Sequence, residues 1–203
     1  RHQPTRVSVQ STGLVLRLSR GSDRDAGLGT FTKAASVATA GSTVYFKAGT
    51  YTTCPTITTS GTATNYITYR NYGSDSAVFT DSLLIMASYI RIKGLTFQNT
   101  PSTSIRIYGD AVQYNGSLPT GAVNGDIVED CTIINPSTST ADPGIRMDYG
   151  ASNLIIQRNR ITIDWGGQSG DKDGVYWWKA EGSIVCRNNT VTGTPWDGFG
   201  GGP

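Results

Sequence analysis

The feature that most limits what this chain can fold into is its internal repetition. Residues 89–97, 126–133, 154–161 and 184–191 share one order: apolar residues, a polar or small turn, then apolar again. Aligned on that order, Ile92, Val128, Ile156 and Cys186 fall in one column, spaced by 36, 28 and 30 residues. A second series alternates with the first. Residues 104–108, 144–148, 174–178 and 198–202 align so that Ile105, Ile145, Val175 and Phe199 share a face by the period-two rule of strands. The opposite, outward face then carries Arg106, Arg146 and Tyr176, followed by Tyr108, Asp148 and Trp178.

Strands this short cannot bury an apolar face alone, whereas stacking them as successive coils can. The expected fold is therefore all-β: a parallel β-helix, or β-solenoid, with turns of unequal length inserted between coils. An antiparallel sandwich of short strands is the alternative, but it gives no reason for two strand series to alternate in constant order. Composition agrees with strands and turns. The chain has 27 Thr and 25 Gly, and only 16% of it is charged, which disfavours long surface helices.

The N-terminal half fits the same plan. Residues 30–39, ending before Ala40-Gly41-Ser42, are the one good helix candidate, about two turns long. Placed ahead of the first coil, such a helix would cap the open end and cover a sheet edge. Thr43-Val44-Tyr45-Phe46 reads as a strand, followed by a turn at Gly49 leading to Tyr51. Residues 1–24 receive no firm assignment beyond strand-like alternation at Val7, Val9 and residues 14–18. The chain opens on Arg1 and ends on Gly-Gly-Pro after Phe199. The expectation is one β-helix domain over residues 1–203, forming part of a longer chain.

Gly29 through Ala35, Ala40 through Tyr51, and the later coils around residues 154–161 together resemble the pectate-lyase-like right-handed parallel β-helix proteins. The resemblance spans roughly residues 25–203. It implies a right-handed coil, a capping helix and a place outside the cell or on its surface. It does not choose a chemistry, because that superfamily includes polysaccharide lyases, glycoside hydrolases, esterases and non-catalytic surface modules.

Several chemistries are excluded by count. The single histidine is His2, so a Ser-His-Asp triad, a Cys-His dyad or a multi-histidine metal site is not available. Cys54, Cys131 and Cys186 are far apart without a Cys-x-x-Cys spacing. Cys131 and Cys186 occupy different columns and are expected as free thiols. A net charge of +2 makes no electrostatic case for nucleic acid, and no apolar run is long enough to span a membrane. Nothing in the sequence sets an oligomeric state.

Asn159 and Asn189 share a turn column with Leu95 and Cys131, and stacked there they would bond the turn backbone. Asp142, Asp171, Asp173 and Asp197 precede strands of the second series. Asp173 and Asp197 should stack on successive coils, where each could brace a local turn or, with Asp171, supply oxygens to Ca²⁺. On the outward face, Arg106, Tyr108, Tyr176 and Trp178 are candidates for binding sugar rings and carboxylates. Arg146, Lys179 and Asp148 are candidates for catalysis. This grouping suits an acidic polysaccharide and a β-elimination that needs no histidine: a cation offsets the uronate charge and a base removes the adjacent proton. Hydrolysis by two carboxylates is the second option, and a non-catalytic adhesion or glycan-binding module the third.

Overall fold

The computed structural model describes residues 15–18, 30–109, 123–134, 142–164, 172–195 and 197–202. Nineteen strands and one helix make up these residues. The strands form three parallel sheets. The first holds β1 (Val15–Leu18), β2 (Thr43–Phe46), β5 (Ile67–Asn71), β8 (Ile90–Lys93), β11 (Ile127–Glu129), β14 (Ser152–Gln157) and β17 (Glu181–Arg187). The second holds β3 (Gly49–Tyr51), β6 (Ala77–Phe79), β9 (Thr96–Gln98), β12 (Thr132–Ile134), β15 (Arg160–Asp164) and β18 (Thr190–Thr194). The third holds β4 (Thr56–Ile57), β7 (Leu83–Ile85), β10 (Ile105–Tyr108), β13 (Ile145–Asp148), β16 (Val175–Trp178) and β19 (Phe199–Gly202). From β2 onward the chain visits the sheets in that order on every coil, making the right-handed parallel β-helix expected from the repeats.

The register matches the repeat columns. Ile92 pairs with Val128, Val128 with Ile156, and Ile156 with Cys186. On the third sheet Ile105, Ile145, Val175 and Phe199 pair in sequence. These columns point inward and, away from the last coil, are fully buried. On the second sheet Phe79 stacks on Phe97, with centroids 5.2 Å apart. Gly49, read from sequence as a turn, instead starts a three-residue strand.

The helix α1 (Phe31–Val37) is capped by the Thr30 hydroxyl, which accepts from the Lys33 N–H. It buries Phe31, Ala34 and Ala35. Phe31 packs against Phe46, Tyr69 and Phe79 at 4.9, 5.4 and 5.9 Å, plugging the core beside the first coils. At the opposite end, Trp177, Ile184, Cys186 and Phe199 line a cavity of about 540 Å³.

The last four first-to-second-sheet turns each have one residue in the left-handed region: Gly94, Asp130, Arg158 and Asn188, with φ of 67°, 56°, 55° and 55°. The next residue fills the inward column. Asn159 and Asn189 form the expected ladder there. Asn159 Oδ1 accepts the Cys131 N–H at 3.0 Å, and its Nδ2 donates to the Val128 carbonyl at 3.0 Å. Asn189 repeats the pattern on the next coil, accepting the Asn159 N–H and donating to the Ile156 carbonyl. All three cysteines are free thiols.

Candidate functional site

Strands β10, β13 and β16 lie side by side in register. Arg106 pairs with Arg146 and Arg146 with Tyr176, while Tyr108 pairs with Asp148 and Asp148 with Trp178. Alternation along each strand turns these residues outward, because Ile105, Ile107, Ile145, Met147 and Val175 fill the core.

The structure adds a layer that alternation does not reveal. The Asp148 side chain is 0% exposed, lying beneath the two guanidiniums beside it. Arg106 Nε donates to Asp148 Oδ2 at 2.7 Å. Arg146 Nε shares its proton between Oδ1 and Oδ2 at 2.8 and 2.9 Å. Each guanidinium also lies over an aromatic ring. Arg106 Cζ is 4.8 Å from the Tyr108 centroid and Arg146 Cζ is 5.1 Å from that of Tyr176. Each cation thus has both a carboxylate and a π face beside it.

Two expected roles change accordingly. Asp148, expected as a catalytic group, has its carboxylate closed to solvent and engaged by both arginines. Tyr108, expected as a sugar-stacking ring, is 2% exposed and packs with Met86 and with Tyr149, 5.5 Å away. Tyr176 is also mostly covered, whereas Trp178 stays half-exposed.

Among the described residues, the Nη atoms of Arg146 make no hydrogen bond, and its side chain is 28% exposed. It is the side chain of this group best able to take an incoming anion. Lys179 follows β16 in a left-handed turn at φ 50°. Its N–H donates to the Gly202 carbonyl and its own carbonyl accepts from Gly150 N–H, which fixes the backbone between two coils. Its exposed ammonium lies 5.8 Å from the Tyr149 ring centroid. Tyr149 therefore links Lys179 to Tyr108 and Arg106, a role the sequence reading missed. Its only signal was its place directly after Asp148.

The row beyond Trp178 is glycine for a steric reason. A Cβ on Gly200 would collide with the Asp173 carboxylate, one on Gly201 with the Trp177 ring and one on Gly202 with the Trp178 ring.

Asp173 and Asp197 do fall on successive coils, but Asp173 is turned onto the backbone. Its Oδ1 accepts the Asp197 N–H at 2.9 Å, and the side chain is buried, whereas Asp197 is exposed. Asp171, Trp165 and Trp196 lie outside the described residues. Calcium takes six to eight oxygen ligands. Among the described residues no three acidic, histidine or cysteine side chains converge on one point.

No helix among the described residues is long and apolar enough to cross a membrane. No protein-family model and no curated protein matches the chain. Among solved structures, the chain is similar to pectate lyase Pel9A at 11% identity, with a TM-score of 0.40, 91% of this chain and 80% of that one being covered. It is also similar to a rhamnogalacturonan lyase at 16% identity and a TM-score of 0.44, covering 93% of this chain and 62% of that one. The chain thus spans less than two-thirds of the second protein.

Proposed function

We propose that the outward face of the third sheet binds an acidic polysaccharide outside the cell or at its surface, and cleaves it by β-elimination. One observation carries this reading: two guanidiniums on adjacent rungs are anchored by one buried carboxylate, which leaves the Nη edge of Arg146 available to a second anion. Arg fits a carboxylate through paired N–H donors. Bound there, a uronate carboxylate would have its charge offset, which acidifies the C–H beside it. The Lys179 amine takes that proton, the C–H electron pair becomes a C=C bond, and the glycosidic C–O bond breaks. The departing oxygen then takes a proton from solvent. Trp178 offers a ring face to a neighbouring sugar, and Asp148 holds both arginines in place without touching substrate.

Hydrolysis fits less well, because it needs two carboxylates facing the sugar and the carboxylate on this face is buried. A binding module without catalysis is the second reading, favoured by the cationic and aromatic character of the exposed groups.

The test is to incubate the full chain with a panel of uronans and neutral glycans, following ultraviolet absorbance of unsaturated product together with reducing ends. Unsaturated product that disappears in Arg146→Ala and Lys179→Ala, with unchanged circular dichroism, is the expected result. Reducing ends without unsaturation would replace elimination by hydrolysis. Binding without either signal would replace it by the module.

A further inference from the structure

The outward face of the first sheet carries a second ladder of charge, separate from the group on the third sheet. Tyr45, Arg70, Lys93, Glu129, Gln157 and Arg187 form one continuous column over six coils. Arg91 stands two residues before Lys93 on the same face, and Arg158 reaches in from the adjoining turn. Successive rungs are ~4.8 Å apart.

Both carboxylates of this ladder are already engaged. Glu129 is 5% exposed and takes Lys93 Nζ at 3.1 Å, Gln157 Nε2 at 2.6 Å and Arg158 Nη2 at 2.7 Å. Asp130 takes Arg158 Nε at 2.7 Å and Lys93 at 3.4 Å. The arginines at the N-terminal end are left over. Arg91 approaches Glu129 only to 4.0 Å, and Arg70 has no carboxylate within ion-pair distance among the described residues. The Nε atoms of Arg70 and Arg91 are shut off from solvent and make no hydrogen bond. Each guanidinium lies instead near a tyrosine ring: Arg70 5.8 Å from Tyr45, and Arg91 5.1 Å from Tyr66. Those rings are braced in turn. Tyr72 meets Tyr45 edge-on at 5.8 Å and is 37% exposed, Tyr89 meets Tyr66 at 5.8 Å, and the Tyr66 hydroxyl donates to the Gly125 carbonyl.

The ladder holds five cations against two carboxylates, in a chain whose whole net charge is +2. Positive charge is therefore concentrated on this face and offset elsewhere. We propose that the Arg70–Arg91–Lys93 corner is a second binding site, for an anionic glycan running along the coil axis. Its carboxylates or sulfates pair with the two guanidiniums, and its sugar rings rest against the tyrosines on either side. An anion is the partner that Arg70 lacks and that Arg91 has only at the 4.0 Å of Glu129, and planar guanidiniums beside aromatic faces suit alternating rings and acid groups. The site faces away from the third sheet, so it would hold a polymer without occupying the cleavage face. It does not depend on the cleavage chemistry proposed there.

Calorimetric titration of the full chain with polygalacturonate, a sulfated galactan, a neutral galactan and single-stranded DNA tests this, with Arg70→Gln/Arg91→Gln and Arg146→Ala compared. Circular dichroism confirms that each variant is folded. The expected result is two classes of site for one or both acidic glycans, both weakening with salt: one is lost in Arg146→Ala, and the other is about tenfold or more weaker in the double variant. Preference between the acidic glycans identifies the anion. Unchanged affinity in the folded double variant, equal binding of the neutral galactan, or tighter binding of DNA would each overturn the proposal. Loss of cleavage in Arg146→Ala beside unchanged binding in the double variant refutes this site and keeps the other. Binding lost in the double variant, with no cleavage by the wild type, does the reverse.

Discussion

Replacing Asn159 by Ala tests what holds successive coils together. The side chain is 1% exposed and satisfies two buried backbone groups, the Cys131 N–H and the Val128 carbonyl, each at 3.0 Å. Its Nδ2 also donates to Asn189 Oδ1 at 3.0 Å. Alanine removes all three bonds and leaves the Cys131 N–H buried without a partner, while the Val128 carbonyl keeps its place in the β11–β14 ladder. Such an orphan costs about 1–3 kcal/mol. Together with the two other lost bonds this predicts a loss of about 2–4 kcal/mol, a sizeable share of the ~5–15 kcal/mol typical of a domain. For a chain of this size that corresponds to a fall in Tm of roughly 10 °C.

Asn189→Ala is the internal control. Asn189 sits one coil further on and is half-buried, so water can replace part of what is lost, and about 1–2 kcal/mol is expected. Urea unfolding followed by tryptophan fluorescence and circular dichroism reads both variants. An Asn159→Ala loss under about 1 kcal/mol, or an Asn189→Ala loss equal to or above it, would refute the claim that buried backbone satisfaction is what the ladder contributes.

Asp126 is buried, and burial holds its carboxyl well above the ordinary carboxylate range, with only the Ile90 N–H bond opposing. A raised folded-state value means the fold binds the proton, so this contribution is full below about pH 4 and is lost as pH rises through the folded value. The stability difference between wild type and Asp126→Asn should therefore widen toward neutral pH in favour of Asn, as read by urea midpoints across pH; a pH-independent difference would refute it. Gly193 has φ 96° and a Cβ there would collide with the Ile163 carbonyl, so Gly193→Ala should destabilise by more than about 2 kcal/mol, measured the same way. Burial pushes the Cys131 thiol up to about 12, while Cys186 is half-buried beside the terminal cavity. Mass spectrometry after brief native alkylation should find Cys186 modified before Cys131. If Lys179 is the base, Lys179→Ala should abolish the ultraviolet absorbance of unsaturated product, and Lys179→Arg should not restore it.

The coil register was legible because a β-helix writes it into the sequence. An inward column must stay apolar on every coil, so Ile92, Val128, Ile156 and Cys186 align whatever the length of the intervening loops. The same columns placed Arg106 beside Arg146 and Tyr108 beside Asp148. Alternation reports the direction in which a side chain leaves the sheet, not what its neighbours then do. Asp148 leaves outward and is buried all the same, because the arginines alongside are long enough to fold over it and gain by doing so. Asp126 shows the converse. It stands in an inward column between Ile90 and Leu154, where the repeat rule calls for an apolar residue, and it is held by the Ile90 N–H at 2.8 Å.

The first-sheet ladder was equally present in the repeats, since Lys93, Glu129, Gln157 and Arg187 occupy one position of the four aligned segments. What the sequence did not disclose is the pairing. Four polar residues in a column suggest an ordinary solvated face. Only the distances separate the coils whose charges are mutually satisfied, around Glu129, from those whose arginines are not, around Arg70 and Arg91. The third sheet differs in the same physical respect. There one carboxylate is shared by two arginines, so the cations are positioned but not used up. On both faces the binding capacity inferred comes from a local shortage of acid. That makes the two sites separable by experiment: removing Asp148 as Asp148→Asn should loosen the third-sheet arginines and lower cleavage, while leaving glycan affinity at Arg70 and Arg91 unchanged. A parallel loss at both faces would mean that the chain binds acidic polymers through its overall charge and not through either constellation.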